Sequence, residues 1–306
     1  MSKKLIPVVQ SQRPDSAAGA SPVFHRIGIV GLGLIGGSIA LAARRQWPAA
    51  LVIGVDARKD VLERAMARHA VDVCADDLVM LREADLVILA VPVGQVIELL
   101  PGLPEHVAGE GVVTDTGSTK RAIVAAARAL PSRLVFVGGH PLGGAAISGI
   151  ESARPDLFAG RPWILTPTPE TPDPVVDRLR AFVEALGAGA RTMSADAHDR
   201  VMAAVSHLPQ VVVSALMHVV GESAGESGLA LSGLGLRDTT RLASSPPAIW
   251  RDVARTNADH LEEGIDTLMA VLAELKADLR NGAALERVFE SARMWKTKMP
   301  ESDRKP

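Results

Sequence analysis

Three glycines, Gly31, Gly33 and Gly36, stand as GxGxxG in the run RIGIVGLGLIGG over 26–37. The run follows an apolar stretch that reads as a strand and opens one that reads as a helix. There the first glycine permits a tight turn, the second lets backbone approach a pyrophosphate, and the third lets helix pack on strand. Backbone N–H groups at the helix start then face an anion. Asp56 ends the next strand-like run, 20 residues beyond Gly36, where a carboxylate binds ribose hydroxyls. GxGxxG alone is weak; strand, glycines, helix, strand and terminal Asp in this order are specific for a dinucleotide. Asp56 favours NAD, because a 2′-phosphate would meet its charge. Arg58 either softens that preference or is a solvated helix terminus, and the second reading is the stronger. Leu34 and Ile35 in the turn, and Val91 and Pro92 after a later strand, complete the expected cofactor-binding set.

His140 lies in GGHPLGG over 138–144. It is expected in a glycine-rich turn just after a strand, where ligands gather in open α/β sheets. Imidazole near its ordinary pKa is a suitable proton acceptor at neutral pH. Ser118, in DTGSTK over 115–120, either caps a helix from Thr119 or turns its hydroxyl to a ligand; both roles are compatible. His207 and Gln210 flank Pro209 on a long helix, and the proline is expected to kink it and aim both side chains at an interdomain cleft. His198, His207 and His218 lack the spacing of a helical metal pair, so no metal site is expected. Cys74 is the single cysteine; it can form no intramolecular disulfide and suits a reducing, cytoplasmic setting.

The elements that position these residues alternate. Strand-like runs at Ile27–Val30, Leu51–Asp56, Val71–Cys74, Leu86–Val91, Val112–Thr114, Leu134–Val137 and Trp163–Leu165 are separated by helical stretches such as Arg58–Arg68 and Lys120–Leu130. Several runs are apolar at consecutive positions, as in strands buried on both faces. The pattern predicts an α/β Rossmann-type, mostly parallel sheet over 25–190. An all-helical substrate and dimerisation domain is expected over 191–298, with tails at 1–24 and 299–306. Its long helix begins after Ser194 and carries Val201, Ala204, Val205, Leu208, Val212, Ala215, Leu216 and Val219 at helical spacing, a stripe expected to be buried.

Thirty-three basic against thirty-five acidic residues, without blocks of one sign, leave no surface for nucleic acid or an anionic membrane. Leu86–Val93, the longest plainly apolar run, is far short of a span. The first residues do not suit a signal-peptide core; a transit peptide stays open, with Asp15 and the single arginine counting against it.

GLGLIGGS, AVPV, DTGSTK, GGHPLGG, DLFAGR, SHLPQ and GLRDTTRLA occur in this order. Together they resemble the prephenate/arogenate dehydrogenase family from residue 26 to about 295. The resemblance implies oxidative decarboxylation of prephenate with hydride transfer to NAD+, on the route to tyrosine, and a homodimer. It implies that His140 is the catalytic histidine and that Ser118 bonds the substrate hydroxyl beside the nicotinamide. It also implies that Arg241 binds a substrate carboxylate, a task suited to a planar guanidinium. Trp250 is expected beside the substrate or in the core. Gln210 stands where many members have histidine, and Ala145 and Ala146 where many have a small hydroxyl residue and Glu. Loss of that acid favours prephenate over arogenate. Arogenate dehydrogenase is the second reading; a β-hydroxyacid dehydrogenase lacks support because helix 195–223 has no lysine. A non-catalytic NAD-binding redox sensor is the remaining alternative.

Overall fold

The computed structural model describes residues 21–143 and 149–299. The expected tails therefore lie mostly outside the described residues, as do Ala145 and Ala146.

The strands are β1 (Arg26–Val30), β2 (Leu51–Val55), β3 (Val73–Ala75), β4 (Leu86–Leu89), β5 (Gly111–Asp115), β6 (Leu134–Pro141), β7 (Pro162–Thr166) and β8 (Gly189–Thr192). They form one sheet in the order β3-β2-β1-β4-β5-β6-β7-β8. Every pairing is parallel except β6 with β7. The order reverses beside β1, the switch point at which open α/β sheets bind ligands.

The consecutive apolar runs have a direct reason. Leu86 and Ile88 of β4 belong to one core cluster, and Val87 and Leu89 to another. Side chains alternate across a strand, so the two clusters cover opposite faces. On one face lie α1 (Leu34–Gln46), α2 (Lys59–Ala67) and α5 (Asp173–Ala185); on the other lie α3 (Val93–Leu99) and α4 (Arg121–Ala127). Phe24, expected in the N-terminal tail, is instead fully buried. Its ring meets Phe182 edge-on at 5.7 Å, and Phe182 stacks on Trp47 at 5.2 Å. Aromatic burial of this size outweighs the cost of ordering a few residues.

β6 is two strands in one. Gly111–Thr114 pair with Leu134–Val137 in parallel, and then Gly138–Pro141 pair antiparallel with Trp163–Thr166. His140 is thus inside a strand, opposite Ile164, rather than in a turn after it. A strand that continues past its parallel neighbour holds a side chain more firmly than a loop would.

After β8 come α6 (Ala195–Met202), a π-helical turn over Ala203–His207, α7 (Leu208–Leu229), α8 (Leu234–Thr239) and α9 (Pro247–Thr256). Ser194 caps α6, its Oγ accepting from the Ala197 N–H at 3.1 Å. Pro209 stands in the first turn of α7, immediately after the π turn, and Gly225 breaks α7 with φ 60° and ψ −177°. The apolar stripe does not behave as expected: Val201, Val205, Leu216 and Val219 are exposed, Val205 at 65%. Periodicity identifies an apolar face without saying whether the same chain covers it.

By internal contact the chain divides into 1–258 and 259–306. α6 and α9 belong with the sheet because polar contacts fasten them to it. Asp252 Oδ2 accepts from the Gly94 N–H at the start of α3 (3.0 Å), and the Thr119 and Thr256 hydroxyls pair at 2.8 Å. The second unit contains most of α10 (Ala258–Asp278), then α11 (Ala283–Lys296). Gly282 joins them at φ 85°, and Asp278 Oδ2 accepts from the Ala284 N–H at 2.6 Å.

Candidate active site

The glycine turn satisfies the geometric demands of a phosphate cradle. Gly31 has φ +90°, and a Cβ there would lie 2.5 Å from the Ala90 carbonyl oxygen. A Cβ on Gly36 would come within 1.9 Å of the Gly31 carbonyl oxygen, whereas one on Gly33 would meet open space. Gly33 is also the N-cap of α1 and supplies no side chain, so the helix start has no built-in cap. Leu34 and Ile35 form that first turn, half-buried. Asp56 is fixed by the Leu32 N–H at 2.9 Å and the Arg58 N–H at 3.0 Å. Arg58 Nε stands 3.9 Å from Asp56 Oδ1 on a largely exposed side chain. Val91 is half-buried and Pro92 exposed at the start of α3. These residues fit a dinucleotide.

At the far end of β6, His140 Nδ1 is 2.8 Å from His198 Nε2, and His198 Nδ1 is 2.7 Å from Asp199 Oδ1. His198 and Asp199 are neighbours on α6, both fully buried. Asp199 also accepts from the Lys120 N–H at 2.7 Å and the Arg121 N–H at 2.9 Å, with Arg121 Nε at 3.4 Å. A carboxylate from α6 thus caps α4, which begins at Arg121. The capping role considered for Ser118 belongs to Asp199. Burial would raise the Asp199 pKa, but the hydrogen bonds from His198 and the two backbone N–H groups hold it below its ordinary value.

Beneath His140 lies a buried ion pair. Lys120 Nζ meets Asp115 Oδ2 and donates to the Gly139 carbonyl at 2.7 Å; Asp115 also accepts from the Gly117 and Gly139 N–H groups at 2.7 and 3.1 Å. The Gly138–Gly139 pair is needed for this approach, since Cβ atoms there would sit 2.3 Å from Thr166 Oγ1 and 2.5 Å from the Asp115 carbonyl oxygen. Burial lowers the Lys120 pKa while Asp115 holds it up. Burial also pushes the His140 pKa well below its ordinary value, helped by His198, Lys120 and His207. His140 is therefore neutral at neutral pH.

His207, in the π turn, is buried, with Nδ1 3.2 Å from Asn257 Nδ2. Asn257 donates to the Asp199 carbonyl at 2.8 Å and accepts from Arg121 at 3.1 Å. Burial lowers the His207 pKa to about 4, against the raising effect of Asp199 and, to a smaller degree, of the Ser118 backbone carbonyl. That carbonyl falls short of hydrogen-bond geometry, so His207 Nε2 has no partner among the described residues. Trp250 meets the His207 ring edge-on at 6.1 Å.

Gln210 is not aimed at a cleft. It is buried, with Nε2 donating to the Leu242 carbonyl at 2.8 Å and the Ser214 hydroxyl at 3.1 Å, and Oε1 accepting from Ser245 Oγ at 3.3 Å. It fastens the short helix Arg241–Ser244. Arg241 itself is exposed, and its guanidinium has no hydrogen bond or ion pair among the described residues. Nothing described joins Arg241 to His140. No motif or spacing in the sequence marks His198, Asp199, Lys120, Asp115 or Asn257 as site residues; His198 enters there only as a possible metal ligand.

Comparison with known proteins decides the family. The family model for the prephenate dehydrogenase nucleotide-binding domain matches residues 39–192, and that for its dimerization domain matches 194–291. The prephenate dehydrogenase of Bacillus subtilis is 35% identical over 279 residues, covering 89% of this chain and 75% of that protein. The cyclohexadienyl dehydrogenase of Zymomonas mobilis is 34% identical, covering 83% of this chain and 88% of that one. Among solved structures, Aquifex aeolicus prephenate dehydrogenase in complex with hydroxyphenyl propionate and NAD+ is 27% identical with a TM-score of 0.83, over 94% of this chain and 100% of that one. Synechocystis arogenate dehydrogenase is 33% identical with a TM-score of 0.76, over 89% and 99%. The chain belongs to the prephenate dehydrogenase family.

The depressed imidazole pKa values make this member of the family acid-sensitive. Between the unfolded value of about 6.5 and the folded value of about 4 for His207, the unfolded chain binds protons that the folded chain refuses. Stability is therefore complete above the unfolded value and is lost as pH falls. His207 alone contributes on the order of 3 kcal/mol to that loss, and His140 adds in the same direction. Urea midpoints should drop steeply from about pH 7 to about pH 4.5; a flat profile would show both imidazoles protonating freely in the fold.

Proposed function

We propose that this protein converts prephenate to 4-hydroxyphenylpyruvate and carbon dioxide, with His140 as the proton acceptor. The observation that supports it most is a neutral imidazole, backed by His198 and Asp199, at the carboxyl end of β6 in the dinucleotide-binding sheet. NAD+, when bound, takes the hydride from the hydroxyl-bearing ring carbon. The glycine turn over 31–36 positions the pyrophosphate, and Asp56 receives the ribose hydroxyls, which favours NAD+ over NADP+.

The proton account gives His140 two tasks. As the hydroxyl carbon is oxidised, the hydroxyl proton passes to His140. The developing ketone is conjugated to the ring carboxylate and draws the electron pair of the breaking carbon–carbon bond as carbon dioxide leaves. The ring becomes aromatic, and the oxygen, now phenolic, takes its proton back. No net proton is released, so one imidazole serves as base and then acid. Ser118, spared from capping α4, is assigned to the substrate hydroxyl. The unpaired Arg241 guanidinium is assigned to a substrate carboxylate, and His207 and Trp250 to the substrate pocket. Gln210, proposed from its position as a substrate contact, is better assigned to holding the Arg241 segment. The half-buried Cys74 is compatible with the cytoplasmic setting proposed for such an enzyme.

Residues Ala195–Leu229 are long and apolar enough to cross a membrane by length and composition, with only 17% of their most apolar stretch buried. The same residues fall within the dimerization-domain match, and a second copy of the chain is the cover proposed for the exposed Val201, Val205, Leu216 and Val219. In the second unit, Phe289 and Trp295 are likewise exposed, at 60% and 61%. Light scattering should give a homodimer at micromolar concentration; a stable species of 32.1 kDa would contradict it.

Initial rates of NADH formation with prephenate and with arogenate test the activity. His140→Asn should lower kcat on the order of 10²–10⁴-fold with little change in KM. Arg241→Ala should chiefly raise KM, because a carboxylate anchor acts on substrate and transition state alike. Near-normal turnover by His140→Asn would sink the assignment.

A further inference from the structure

We propose that His198 and Asp199 are positioning residues that lock His140 in the Nδ1–H tautomer, leaving its Nε2 lone pair bare for the substrate proton. The inference rests on the catalytic reading of His140, but it stands on a separate observation, the three-membered chain His140, His198, Asp199.

The direction of the chain follows from its last member. Asp199 accepts from the Lys120 N–H, the Arg121 N–H and the Arg121 side chain. Backbone N–H groups can only donate, so these contacts require a carboxylate and leave Oδ1 an acceptor toward His198. His198 Nδ1 must then carry its proton. With one proton on each ring, His198 Nε2 is an acceptor, and the 2.8 Å contact makes His140 Nδ1 the donor. The proton of His140 is thereby placed on the nitrogen that faces the protein. In the opposite tautomer Nε2 would carry the hydrogen and have no lone pair with which to accept the substrate proton.

Burial makes the lock effective. His198 and Asp199 are fully buried, so water cannot substitute for either contact. The Asn257 amide secures the Asp199 carbonyl at 2.8 Å, fixing the backbone from which both side chains project.

Nitrogen-15 NMR of the labelled, full-length protein at neutral pH reads the tautomer without turnover. The ring nitrogens of His140 should show a protonated Nδ1 and a bare Nε2, with a scalar coupling across the hydrogen bond to His198 Nε2. His198→Asn keeps a donor near Asp199 but does not reach His140; it should release the tautomer and lower kcat on the order of 10²-fold or more, with KM little changed. His198→Gln places an amide oxygen nearer the His140 Nδ1–H and should restore much of the loss. A protonated Nε2 in the wild type, or a His140 signature unchanged in His198→Asn, would overturn the proposal. If the expected signature is present and prephenate is not oxidised, the lock stands and the reaction assignment fails.

Discussion

A carboxylate removed from water needs a donor for each of its lone pairs, and Asp199 finds them on two distant parts of the chain. It takes two backbone N–H groups at the start of α4, the Arg121 side chain and the His198 ring. One charge therefore caps a helix of the nucleotide-binding sheet, binds α6 to that helix and orients the imidazole behind His140. Leaving any of those donors unpaired would cost about 1–3 kcal/mol each, and more for the charged ones. The arrangement is thus as much a structural demand as a catalytic one. It also accounts for α6 clustering with the sheet rather than with α10 and α11.

The Lys120–Asp115 pair extends the same logic. A fully buried ion pair is weak evidence for stability, because desolvation consumes most of the attraction, yet breaking it by removing one partner costs about 3–5 kcal/mol. Its geometry suggests a second use: Lys120 grips the Gly139 carbonyl, and Asp115 the Gly139 N–H. Both backbone groups of the residue before His140 are held by charges. The histidine is therefore fixed from behind by its strand, from the side by His198 and from below by this pair.

Local features were legible in the sequence because their causes are local. The strands, the glycine turn and Asp56 depend on residues within a single βαβ unit, and the Ser194 cap on four consecutive residues. What escaped depends on long-range contacts. His198 lies 58 residues from His140, so no spacing rule pairs them, and the three helical histidines were compared only with one another. The same holds for Phe24, whose partner Phe182 is far along the chain, and for Gln210, whose bonds run to residues 242 and 245. The stripe from Val201 to Val219 is apolar in the sequence, but burial by another chain and burial by one's own leave the same periodicity. Glycines on both sides of His140 suggest a turn; in the fold they serve close backbone approach within a strand.

The central claim is that the Asp199 charge, acting through His198, keeps His140 competent to accept a proton. Asp199→Asn tests it directly, since an amide of the same shape must point its NH2 group at a donor it formerly received. The measurement is kcat for NADH formation at saturating prephenate, on protein whose circular dichroism matches the wild type. The expected result is a fall on the order of 10²–10⁴-fold, the contribution of a correctly protonated acid–base group. Wild-type turnover by the folded variant would contradict it.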